Sequence, residues 1–154
     1  MAMKVLPIIK KSIAMNNILK HSIYIIVLLL VSLQSSAQLD SIVKQCAVLL
    51  PSPFISDGQQ YRALLNYDEV AEFHATFFGG ATYRIVSCSG LSNTKIIFSL
   101  YDREKHVLFT NKNYGYTPYW DFKFNSTIDC IIEAELDKQT ATSGFAILLI
   151  GYKQ

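Results

Sequence analysis

Between residues 71 and 77 apolar and polar side chains alternate, with Ala71, Phe73, Ala75 and Phe77 on one side and Glu72, His74 and Thr76 on the other. Successive side chains of a strand point to opposite faces, so this period of two predicts a strand with one buried face. The same period recurs further on. Ile96, Phe98 and Leu100 alternate with Ile97, Ser99 and Tyr101. Trp120, Phe122 and Phe124 alternate with Asp121, Lys123 and Asn125. Ile128, Cys130, Ile132, Ala134 and Leu136 alternate with Asp129, Ile131, Glu133 and Glu135. Tyr61–Tyr67, Tyr83–Cys88 and His106–Thr110 read as further strands, and Gly144–Tyr152 is apolar on both faces, which predicts a central strand. Gly79-Gly80, Ser89-Gly90 and Asp102-Arg103-Glu104-Lys105 supply turns between them. About eight strands at roughly ten-residue spacing predict an all-β domain, an antiparallel β-sandwich or jelly roll.

One short helix precedes the strands. Leu39, Ile42, Val43, Cys46, Ala47 and Leu50 recur at i, i+3, i+4 and i+7. Asp40 or Ser41 is the expected N-cap, because a short side-chain oxygen can accept from an orphan backbone N–H. Pro51-Ser52-Pro53 stops the helix, and a linker runs on through Asp57-Gly58.

Before the helix the pattern changes again. Lys4, Lys10, Lys11 and Lys20 precede an apolar run of about eleven residues, Ile23 to Leu33, and Gln34-Ser35-Ser36-Ala37 follows with small residues at the −3 and −1 positions of a cut before Gln38. This is the layout of a secretory signal peptide. The run is about half of the roughly 20 residues that a bilayer core requires, so the signal is expected to be removed and to leave no membrane anchor. The expected organisation is residues 1–37 as signal, 38–58 as helix and linker, and 59–154 as the sandwich. A start at Met15 would make a more compact signal.

Cleavage there would reverse the charge. All 12 acidic residues lie after residue 37, whereas four of the 14 basic ones lie before it, so 38–154 carries a net −2. No basic footprint for nucleic acid remains. The surviving aromatics, eight Tyr, nine Phe and Trp120, favour strands.

Strand order and turn residues resemble the bacterial pre-peptidase C-terminal type of β-sandwich over about residues 68–152. The matching segments are Phe77-Phe78-Gly79-Gly80-Ala81-Thr82-Tyr83-Arg84-Ile85, Ile96-Ile97-Phe98-Ser99-Leu100-Tyr101-Asp102, Val107-Leu108-Phe109, Ile128-Asp129-Cys130-Ile131-Ile132 and Ser143-Gly144-Phe145-Ala146-Ile147-Leu148. The resemblance implies an accessory module of a secreted protein that binds surfaces or polymers or assists folding. Some such domains hold calcium through an acidic cluster. This chain has Thr110-Asn111-Lys112-Asn113-Tyr114 after Phe109, without an Asp-Asp pair, so no metal or other cofactor is expected. The Ser-Ser-Ala-Gln junction is similar to those of Bacteroidetes-type exported proteins.

Little else carries chemistry. His74 and His106 are not in a zinc-binding spacing. Cys88 between Ser87 and Ser89, and the carboxylate pairs Asp102/Glu104 and Glu133/Glu135, are the only openings for a thiol-dependent enzyme or a hydrolase. Neither brings a base or a raised pKa into view, so no catalytic residue is expected. Asn125-Ser126-Thr127 is a glycosylation sequon without consequence behind a bacterial signal. Tyr114, Tyr116 and Tyr119, on a Gly- and Pro-containing loop beside a core-facing Trp120, are the candidate binding surface for a glycan or an envelope protein. Three cysteines in an oxidising compartment allow one internal bridge. Tying the helix to the sheet gains most from it, which joins Cys46 to Cys88 or Cys130. The sequence thus points to a small exported binding or structural module.

Overall fold

The computed structural model describes residues 20–24, 34–91 and 93–154. It divides into two compact units, Met1–Gln38 and Leu39–Gln154. In the first, residues 20–24 are helical with exposed side chains. The basic residues Lys4, Lys10 and Lys11 and most of the apolar run, residues 25–33, lie outside the described residues. Among the described residues no helix is long and apolar enough to cross a membrane.

The second unit is an all-β sandwich behind one helix. Helix α1 spans Gln34–Ala47. Eight strands follow: β1 (Ile55–Asn66), β2 (Val70–Phe77), β3 (Thr82–Ser89), β4 (Ile96–Tyr101), β5 (Val107–Thr110), β6 (Tyr119–Lys123), β7 (Ile128–Leu136) and β8 (Ser143–Lys153). Sheet I has the order β1-β8-β3-β6 and sheet II the order β2-β7-β4-β5. All pairings are antiparallel. This is the eight-stranded jelly roll, in which two Greek keys interleave so that most connections cross between the sheets.

The inward residues of both sheets build one core, including Phe77, Ile85, Phe98, Leu100, Ile132, Leu136, Leu148 and Ile150. Strand β8 is apolar on both faces for a reason the topology makes plain. It lies between β1 and β3. Ala146, Leu148 and Ile150 face the core. Ile147 and Leu149 face outward, where Val86 joins them under Leu39, Ile42, Val43 and Cys46 of α1. Burying an aliphatic side chain of this size contributes about 2 kcal/mol. The helix thus covers sheet I, whereas the outer face of sheet II has alternating polar positions. Gly151 lets the turn after α1 sit close: a Cβ there would lie 2.6 Å from the Leu50 side chain.

Two boundaries differ from the sequence reading. Helix α1 begins at Gln34, so Asp40 and Ser41 are interior and not caps. Nothing in Gln34-Ser35-Ser36-Ala37 breaks a helix, and the turn pattern propagates back through it. Asp40 instead meets Arg62 of β1 at 3.8 Å. The expected linker through Gly58 is in fact the start of β1, which pairs Ile55 with Tyr152 and Ser56 with Gly151. Asp57-Gly58-Gln59 forms a bulge before pairing resumes at Gln60. Ser56 Oγ accepts from Gly58 N–H at 3.1 Å and Asp57 Oδ1 from Gln59 N–H at 2.9 Å. Gly58 has φ +81°, the left-handed region that favours glycine.

Candidate binding cleft

The tyrosines of the 114–119 loop do not form one platform. Asn111–Tyr114 is a short 3-10 turn ending at Gly115 with φ 68°, and Tyr116 follows at φ 59°. These two left-handed residues send the rings apart. Tyr114 stays 53% exposed but stacks on Phe109 and leans on Trp120, with centroids 5.4 and 4.4 Å away. The Tyr116 ring lies 4.7 Å from Lys95 Nζ. Tyr119 pairs with Val86 in register and so projects on the helix-covered side of sheet I. There the Arg84 guanidinium sits between the Phe54 and Tyr119 rings, 4.4 and 4.3 Å from their centroids. Arg84 also forks onto Asp121 at 2.6 and 2.9 Å and donates to the Leu49 carbonyl at 3.2 Å. Tyr119 therefore helps tie the turn after α1 to the sheet. Trp120 packs against the core, on the same face as Phe122 and Phe124.

The cysteines and carboxylates are also placed. Cys46 and Cys88 form a disulfide with Cα atoms 5.9 Å apart. Cys88 then carries no thiol, which removes the nucleophile of a thiol-dependent enzyme. Cys130 is a buried free thiol on the inner face of sheet II, across sheet I from Cys46. Burial, and secondarily Asp129 and Asp102, push it up to about 11, so it stays protonated at neutral pH. On the outer face of sheet II, Lys105 Nζ bridges Glu72 at 2.6 Å and Glu133 at 2.8 Å. His74 Nε2 is 3.2 Å from Glu72. Asp102 accepts from the His106 backbone N–H and meets its ring at 2.9 Å, which holds the Asp102 carboxyl below its ordinary value. A general acid needs the opposite shift. Among the described residues no three His, Cys, Asp or Glu side chains converge as a metal site.

What does open to solvent is a cleft of about 880 Å³ at the edge of the sandwich formed by β1 and β2. Its walls come from four separate stretches: Asp57 to Tyr61 of β1, the end of β2 with Phe78-Gly79-Gly80-Ala81, Tyr83 of β3, and Ile150 to Gln154 at the end of β8. The β2–β3 turn is fixed by tight packing. A Cβ on Gly79 would lie 2.8 Å from the Ser126 backbone, and Gly80 N–H donates to the Phe124 carbonyl at 3.0 Å. The sequon Asn125-Ser126-Thr127 is the surface that this turn rests on. Phe77 turns inward at the end of β2, and Phe78 is left outward and 62% exposed at the rim. Its N–H donates to the Tyr83 hydroxyl at 3.0 Å. Tyr83 in turn lies 6.2 Å from the Tyr152 ring.

The cleft contains one acid. Asp57 touches solvent at the mouth, yet surrounding atoms displace enough water to raise its carboxyl pKa, offset in part by the Gln59 and Asp57 N–H groups. Burial, then the Asp57 charge, raises the Tyr61 phenol. Sequence reasoning missed this site. Its one local signal was Phe77-Phe78, two adjacent rings in a period-two strand, of which only one can face the core.

No family model matches the chain, and no curated protein matches it. A solved structure with a similar chain path is Aeromonas hydrophila PliG, a periplasmic lysozyme inhibitor of g-type lysozyme. It has a TM-score of 0.49 and 12% identity, over 67% of this chain and 90% of that one.

Proposed function

We propose that this chain is a small exported binding module of the cell envelope, without enzymatic activity, and that the β1/β2 cleft takes a glycan. The observation that carries the reading is the composition of the cleft. An open groove with aromatic walls, the Tyr61 and Tyr152 hydroxyls and one partly dehydrated carboxyl offers apolar faces for sugar rings and polar groups for their hydroxyls. Export rests on the lysines, the apolar run and the small-residue junction of residues 1–37. The resemblance to pre-peptidase C-terminal sandwiches points to the same accessory role.

The test is calorimetric titration of the purified protein with a panel of neutral and acidic oligosaccharides. Phe78→Ala and Asp57→Asn should each weaken the best binder at least tenfold. Tyr114→Ser, at the opposite edge, should leave it unchanged. Failure of the whole panel to bind, or loss of binding only in Tyr114→Ser, overturns the cleft reading. Intact mass from the native host checks export independently, with the product expected to begin at Gln38.

A further inference from the structure

A sandwich has four edge strands, and three of them here are blunted. Strand β1 is bulged at Asp57-Gly58-Gln59. Strand β5 has only four residues, and its register to β4 shifts between Leu100 and Tyr101. Strand β6 has five residues and starts after Pro118. Short length, bulges and proline are the usual defences of an edge against pairing with another chain. Strand β2 has none of them. Its eight residues, Val70–Phe77, run in unbroken register with β7, and they contain no Pro, Gly, Lys or Arg. Its other side carries backbone N–H and C=O groups toward solvent.

We propose that β2 is the surface through which two copies of this chain pair, edge to edge and antiparallel, about a two-fold axis at Phe73. The occupant is read from the strand's own sequence, which is self-complementary in that register. Phe73 falls opposite Phe73 of the second copy, and Ala71 opposite Ala75, small enough for the backbones to approach. Val70 falls opposite Thr76. On the outer face Glu72 falls opposite His74, twice, because the interface is isologous. Directly opposed residues on one face sit about 5 Å apart at Cβ and favour opposite charges. Each His74 would then lie between the Glu72 of its own strand, 3.2 Å away, and that of the other copy. Sheet II would become an eight-stranded sheet with the two clefts side by side across the axis. This goes beyond the cleft reading and does not depend on a glycan.

Sedimentation velocity over a concentration series tests it. The protein is expected to show a monomer–dimer equilibrium. The His74 side chain is 73% exposed, so changing it should leave folding intact, which circular dichroism checks. His74→Lys places a permanent cation opposite Glu72 and should hold or tighten the dimer. His74→Glu opposes Glu72 with a like charge at both places and should weaken it at least tenfold. Lys123→Glu, a charge reversal on β6, should have no effect. Amides of β2 should also exchange more slowly as concentration rises. A monomer at every concentration, a dimer equally strong in His74→Glu, or a dimer lost in Lys123→Glu overturns the proposal.

Discussion

At the β5/β6 edge of the sandwich Phe109, Trp120 and Phe122 fill the gap between the sheets, whereas at the β1/β2 edge Tyr61 and Phe73 meet edge-on at 5.4 Å and the gap beside them stays open. The closed edge stacks Phe109 on Trp120 at 4.9 Å, with Phe122 edge-on at 5.1 Å, and the exposed Tyr114 ring lies over Phe109 at 5.4 Å. The difference lies in which residues face inward. At the closed edge they are Phe and Trp. At the open edge Ala71 and Ala75 alternate with Phe73 along β2, and Tyr61 and Ala63 of β1 are among the core-packed residues there, so small side chains leave room where rings stand at the closed edge. A jelly roll can therefore distribute its aromatic content unevenly, sealing one flank and leaving the other open.

The closed edge also depends on one polar residue, and removing it should have the largest effect. Asn111 is fully buried. Its Oδ1 accepts from Phe98 N–H at 3.1 Å, and its Nδ2 donates to the carbonyls of Ile96 at 2.9 Å and Thr117 at 3.0 Å. The side chain thus couples β4 to the loop that bears Tyr114. Asn111→Ala leaves a buried donor and two acceptors unpaired, each costing on the order of 1 kcal/mol or more, so a loss of about 3 kcal/mol is expected in urea unfolding. A loss below about 1 kcal/mol would show that the rings alone seal this edge.

The open edge should respond to added bulk in the other direction. Inserting methylenes into a filled core costs about 1–3 kcal/mol. Ala75 is only partly buried and lines the cleft. Ala75→Leu should therefore be tolerated, with a gain of about 0.5 kcal/mol from the covered apolar surface, while occupying the groove and blocking glycan. Strong destabilisation would mean that the cleft is already packed.

The two edges were not equally legible in the sequence. Period-two alternation revealed four of the strands, turn residues helped bound the others, and the double-apolar pattern of Gly144–Tyr152 placed β8 in the centre of its sheet. Both follow from residues near one another in the chain. Trp120 was legible as core for the same reason, through Phe122 and Phe124. The cleft was not, because its walls meet only after four distant segments are folded together and because its volume comes from small residues, which carry no signal of their own. The tyrosine loop misdirected the reading. Tyr114, Tyr116 and Tyr119 are close in sequence, but the left-handed turn at Gly115 and Tyr116 sends one ring onto Phe109 and Trp120, one to Lys95 and one to Arg84. Ser56-Asp57-Gly58 was read as a linker because its residue types favour turns. In the fold those types make the bulge that brings Asp57 to the mouth of the cleft.

The smallest effect should separate the edges most cleanly, because one carboxyl at each is shifted in opposite directions. Asp57, at the open edge, has its pKa raised by burial. Below the ordinary carboxylate range it is protonated in both folded and unfolded chains and contributes no difference. As pH rises through that range and past the raised value, the unfolded chain gives up its proton more readily than the folded one, so folding loses stability. Asp57→Asn retains an acceptor for the Gln59 N–H and removes the charge. Its melting temperature should match the wild type in acid and exceed it slightly at neutral pH. Asp102, in the β4–β5 hairpin beside the closed edge, is shifted down, first by the His106 backbone N–H and then by its ring. Its contribution is present above the unfolded value and is lost as pH falls through the folded one. Asp102→Asn should accordingly melt slightly below the wild type at neutral pH, and the gap should close in acid. The two melting-temperature differences, plotted against pH, should have opposite signs and both vanish at low pH. Curves of the same sign would mean that Asp57 is as well solvated as a surface carboxylate, and the cleft would lose the partly dehydrated carboxyl on which the proposed recognition draws.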